Sequence, residues 1–62
     1  MIKMFIDVLS QDDCIYCFDI EQIEYIKKHK TNTTQIFLKF GLDILIREDY
    51  QSFINRLSKM NT

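Results

Sequence analysis

Thr34-Gln35-Ile36-Phe37-Leu38-Lys39-Phe40-Gly41-Leu42-Asp43-Ile44-Leu45-Ile46 is the stretch that decides how this chain folds. In an extended segment Ile36, Leu38 and Phe40 fall on one face and Gln35, Phe37 and Lys39 on the other, the period of two that a half-buried strand requires. Gly41, the only glycine, stands where the backbone must reverse, and residues 42–46 resume as a second strand. The reading predicts an antiparallel hairpin whose turn takes positive φ at Gly41, since Phe40 tolerates it poorly.

Downstream, Glu48-Asp49 supplies acidic residues suited to a helix N-terminus, and Tyr50, Phe53, Ile54 and Leu57 recur at i, i+3, i+4 and i+7. Arg56 and Lys59 suit the other end of that helix. Upstream, residues 29–33 are polar and read as a turn. Residues 23–28 read as a strand, although Ile20, Ile23 and Ile26 also fit a helical spacing. Asp19-Ile20-Glu21-Gln22 is a corner, because an aspartate side chain can bind backbone N–H groups just ahead of it. Residues 14–18 form another strand and 10–13 a polar turn. Residues 2–9 place Ile2, Met4, Ile6 and Val8 opposite Lys3, Phe5, Asp7 and Leu9. The expected fold is α+β: an antiparallel sheet of about five short strands followed by one C-terminal amphipathic helix, in a single small domain over residues 1–62.

A chain of 62 residues buries only about 60% of its unfolded surface, so its stability is slender and a disulfide, a metal or self-association would be useful to it. Eight Lys and Arg against nine Asp and Glu leave a net charge of −1, which gives no overall field towards nucleic acid or membrane. The apolar start is cut by Asp7, Gln11, Asp12 and Asp13, too soon for a signal sequence, and no apolar run approaches the roughly 18 residues of a membrane span. A soluble, cytoplasmic protein is expected.

Catalysis is not expected. Cys14 and Cys17 have C-x-x-C spacing, but they lie in a β-type run that sends residues three apart to opposite faces, and a zinc site needs two further ligands. They read as buried or half-buried structural thiols. His29 is the only histidine and reads as a solvated turn residue. Asp12-Asp13 reads as turn chemistry and Glu48-Asp49 as helix capping, and one glycine cannot build a phosphate loop. No metal or cofactor is implied.

Two features point to binding. Lys27-Lys28-His29-Lys30, with Tyr25 and Phe37 nearby, offers phosphate contacts beside a stacking surface, while the same cluster on a hairpin tip would simply keep an edge soluble. Phe5 and Leu9, together with Tyr16, Phe18, Tyr25 and Phe37, also present more apolar area than one short helix covers. That leaves a sheet face or edge for a partner or a second copy. The candidate interaction residues are Phe5, Tyr25, Phe37, Lys27, Lys28 and Lys30.

The order of residues resembles the FlbD/SwrD family of small flagellar and swarming-motility proteins. The resemblance rests on Met1-Ile2, then Asp19 with Ile23-Glu24-Tyr25-Ile26, Thr34-Gln35-Ile36-Phe37-Leu38, Gly41, Ile44-Leu45-Ile46 and Glu48 before the last helix, and it covers nearly the whole chain. Cys14, Cys17 and the lysine cluster lie outside the family pattern, which is structural and carries over no site residue. The resemblance implies a bacterial motility regulator. The functional expectation is a non-enzymatic interaction or regulatory module, with two alternatives: a small phage-encoded inhibitor of a host or defence protein, and a nucleic-acid binder using Lys27 to Lys30.

Overall fold

The computed structural model describes residues 3–60, which form β1 (Phe5–Leu9), β2 (Ile15–Asp19), a 3-10 turn (Ile20–Gln22), β3 (Ile23–Lys30), β4 (Thr33–Leu38), β5 (Asp43–Ile46) and α1 (Tyr50–Met60). The α+β architecture is as expected. The strands, however, make two antiparallel sheets, a β1-β2 hairpin and a β3-β4-β5 meander. A short seam joins them: Ser10 bridges Ile46, Arg47 donates its N–H to the Leu9 carbonyl (2.9 Å) and Gln11 donates to Leu45 (2.9 Å).

The β1-β2 and β4-β5 hairpins close in the same way. In each, a three-residue loop is spanned by two backbone bonds (Ser10 N–H to Cys14 O and Asp13 N–H to Ser10 O; Leu38 N–H to Leu42 O and Gly41 N–H to Leu38 O). In each, the last loop residue has positive φ, 67° at Asp13 and 90° at Gly41. Aspartate accepts that conformation because its short polar side chain bonds locally, and glycine because it has no Cβ. Phe40 therefore belongs to the loop and not to the strand, and it is 64% exposed instead of lying with Ile36 and Leu38. Asp19 caps the 3-10 turn by accepting the Glu21 N–H (3.0 Å), as its place in the corner predicts.

β3 is longer than the sequence suggests. It runs to Lys30 and turns at Thr31-Asn32, with Asn32 at φ 60°, so the lysines and His29 lie along a strand and not at a hairpin tip. Register shifts between Ile23 and Tyr25 and between Lys28 and Lys30 mark an extra residue at Glu24 and another at His29. The first shift reverses the inside-outside alternation, so Ile23 and Ile26 both face the core opposite Leu38 and Ile36. That is why their spacing imitates a helix.

Ile6, Val8, Ile36, Leu38, Ile44, Ile46 and Phe53 form the buried core. Each large apolar side chain removed from water contributes about 1.5–3 kcal/mol. Tyr16 and Phe18 pack against this core as well, so they do not add to the uncovered aromatic surface. Asp49 is the N-cap of α1, its carboxylate accepting the Gln51 N–H at 3.1 Å. One residue earlier, Glu48 receives Arg56 through two parallel bonds (3.0 and 2.8 Å), and Arg56 also donates to the Asp7 carbonyl of β1 at 3.0 Å. The helix is thereby clasped to the first hairpin. Arg56→Ala is expected to cost about 1 kcal/mol, since the pair is partly solvated and its charge is screened, and urea unfolding would measure the change.

Candidate functional site

Alternation from the buried residues fixes what the sheets present outward. On the hairpin Phe5, Asp7, Leu9, Ile15 and Cys17 face away from the core, with Leu9 paired across from Ile15 and Asp7 from Cys17. Phe5 is 56%, Leu9 45% and Ile15 72% exposed, an apolar group that no described element covers. On the meander Tyr25 stacks on Phe37 with ring centroids 4.4 Å apart and planes at 17°. Lys27 follows on the same face beside Gln35, which donates to Asp43 at 3.0 Å.

The six sequence candidates therefore divide into three places. Tyr25, Phe37 and Lys27 are brought together, and Phe5 lies on the other sheet with Leu9 and Ile15. Lys28 pairs with Thr34 and so belongs to the opposite face of β3, while Lys30 closes the strand beside Thr33. All three lysines are exposed. Ile15 escaped the sequence reading, although the alternation Ile15-Tyr16-Cys17-Phe18 carried the signal that it points outward with Cys17.

Both thiols are free and exposed, contrary to the expectation of burial. Cys14 precedes β2, and Cys17 takes the outward position of a hairpin whose other face packs on the core. Asp12 organises the adjoining turn: it accepts from the Ser10 hydroxyl, from the Cys14 N–H (3.2 Å) and from the Tyr16 hydroxyl (3.5 Å). The Ser10 bond foremost holds the Asp12 carboxyl below its ordinary pKa. Its contribution to stability is present above the usual carboxylate range and is lost as pH falls through the lowered value.

The charge on Asp12 pushes the Cys14 thiol and the Tyr16 phenol up, and a hydrogen bond from Cys17 to Asp7 raises the Cys17 thiol. Thiolate is the reactive form, so these exposed cysteines are poorly suited to redox or nucleophilic work. Alkylation of both by iodoacetamide at neutral pH is expected to be slower than that of an unstructured cysteine peptide, with Asp12→Asn accelerating Cys14. Equal rates in protein and peptide would contradict this.

An open cleft of about 250 Å³ lies between the β1-β2 turn and the start of β5, with Asp12, Tyr16 and Asp43 among its walls. Its two carboxylates are already engaged, by Ser10, Cys14 and Tyr16 and by Gln35. Among the described residues no group of three or more His, Cys, Asp or Glu side chains is arranged to hold a metal, and no helix is long and apolar enough to cross a membrane. Comparison with family models, curated proteins and solved structures gives no match.

Proposed function

We propose that the chain is a non-catalytic protein-interaction module that uses the outward face of its first hairpin. The observation that carries this reading is the exposure of Phe5, Leu9 and Ile15 together on one sheet face. Leaving three large apolar side chains in water gives up stability that a small domain can ill spare, and burial against another protein recovers it. The sequence resemblance favours a bacterial motility regulator as the setting, acting in the cytoplasm. Affinity capture from the native host, read by mass spectrometry, tests the proposal. A specific partner should be recovered, lost with Phe5→Ala or Ile15→Ala and retained when Lys27, Lys28 and Lys30 are changed to glutamate. Recovery of only further copies of the chain would replace the module by a structural homo-oligomer.

A second reading, contact with single-stranded nucleic acid, is favoured by Lys27 sharing a face with the stacked Tyr25 and Phe37. It requires salt-sensitive binding of a labelled oligonucleotide. Absence of binding at low salt would remove it.

A further inference from the structure

With the seam setting β1 beside β5, the strands left at the outer edges are β2 and β3, and the chain treats them differently. β3 carries Lys27, Lys28 and Lys30 and is interrupted by an extra residue at Glu24 and at His29, two devices that keep an edge from adding a strand. β2, Ile15-Tyr16-Cys17-Phe18-Asp19, has no lysine, no proline and an unbroken register with β1. On the far side of β1 the Leu9 carbonyl is taken by the Arg47 N–H and the Asp7 carbonyl by Arg56.

The ladder decides which groups β2 offers. Ser10 donates to Cys14 at one end of the hairpin and Ile20 to Met4 at the other, both at 2.9 Å. In an antiparallel pair, residues that exchange hydrogen bonds alternate with residues whose N–H and C=O point away. Tyr16 and Phe18 therefore bond to β1, and the backbone groups of Ile15 and Cys17, with the N–H of Asp19, are directed out of the free edge, the Asp19 carbonyl being turned into the 3-10 turn that Asp19 caps. Carboxylates gather at one end of that edge, where Asp19 and Glu21 close the strand, and Asp7 stands across from Cys17; at the other end Asp13 is paired with Arg47 at 2.9 Å and Asp12 is held by Ser10, Cys14 and Tyr16.

We infer that the β2 edge accepts an extended peptide segment of a partner as an added strand, one with an apolar middle and basic residues at the end that meets Asp19 and Glu21. This deepens the interaction-module reading and rests on it. Main-chain bonds to Ile15, Cys17 and the Asp19 N–H supply affinity, apolar side chains of the segment cover Ile15 and Leu9, and its basic end meets Asp19 and Glu21.

The probe is a fluorescent synthetic peptide of alternating valine and threonine with lysines at both ends, titrated by polarisation. Its counterpart with glutamate at both ends is the control. The lysine peptide should bind and the glutamate peptide should not, and in amide hydrogen exchange Ile15, Cys17 and Asp19 should gain protection. Cys17→Pro removes one outward N–H without touching the β1 ladder, and it should weaken binding about tenfold or more. Glu21→Lys should weaken it several-fold.

Equal binding of both peptides, no binding of either, or protection gained elsewhere would overturn the inference. So would a dimer in sedimentation analysis that protects the same amides without peptide. If Cys17→Pro fails to fold, the exchange pattern of the unaltered chain decides. Where the peptide fails but a host partner is still captured through Phe5 and Ile15, the edge inference falls and the interaction module stands.

Discussion

Phe53→Ala is expected to remove a large share of the domain's stability. Phe53 is fully buried and is the residue through which α1 enters the core of Ile6, Val8, Ile36, Leu38, Ile44 and Ile46. Truncating a buried phenylalanine costs about 3–5 kcal/mol, from lost transfer energy plus the void left behind. A chain of 62 residues has roughly 3–9 kcal/mol of total stability at ordinary values per residue. The loss amounts to anything from about a third of that total to all of it. Far-UV circular dichroism with a urea titration would show a much weakened or absent cooperative transition, and a midpoint close to that of the parent chain would refute the assignment. Phe40→Ala is the control, because Phe40 is exposed in its loop and its removal should change stability by no more than about 0.5 kcal/mol.

Thr34→Val should lower the melting temperature by several degrees despite preserving shape. The Thr34 side chain is completely buried, and its hydroxyl donates to the Glu48 carbonyl at 2.7 Å. That bond ties β4 to the residue just before the N-cap of α1. Valine fills the same volume but leaves the carbonyl without its donor, a loss of about 1–3 kcal/mol that the added methyl only partly offsets. For a domain of this size each kcal/mol moves the midpoint by about 4–8 °C. A Thr34→Val midpoint equal to the parent's would mean that solvent reaches the Glu48 carbonyl and satisfies it.

The strands and the helix were legible because their signals are local. Ile36 and Leu38 alternate with Gln35 and Phe37, Gly41 marks a reversal, and Tyr50, Phe53 and Leu57 follow a helical period. Three features were not legible, each for a physical reason. The extra residues in β3 shift parity, so Ile23 and Ile26 looked helical, and His29 and Lys30 were placed in a turn that begins only at Thr31. Phe40 continued the alternation of β4, yet the three-residue loop claims it, since loop length is set by where the positive φ falls. The thiols were expected inside because cysteine is usually buried, but Ile6, Val8, Tyr16 and Phe18 already fill the inner face of the hairpin, and Cys17 takes the outer one.

Of the candidate site, the outward place of Phe5 and the association of Tyr25 with Phe37 followed from alternation and strand pairing. The contrast between the two edges did not, because it depends on bulges and on which backbone groups the ladder uses.

The seam between Ser10 and Ile46 also bears on how the chain reaches this structure. The hairpin and the meander are built from neighbouring segments and close short loops, whereas the seam must join strands at opposite ends of the sequence. Closing that long loop carries the larger entropic barrier, so the seam is expected to form late, after the local units. With no proline in the chain, no prolyl isomerisation slows that step, and two preformed halves need only meet.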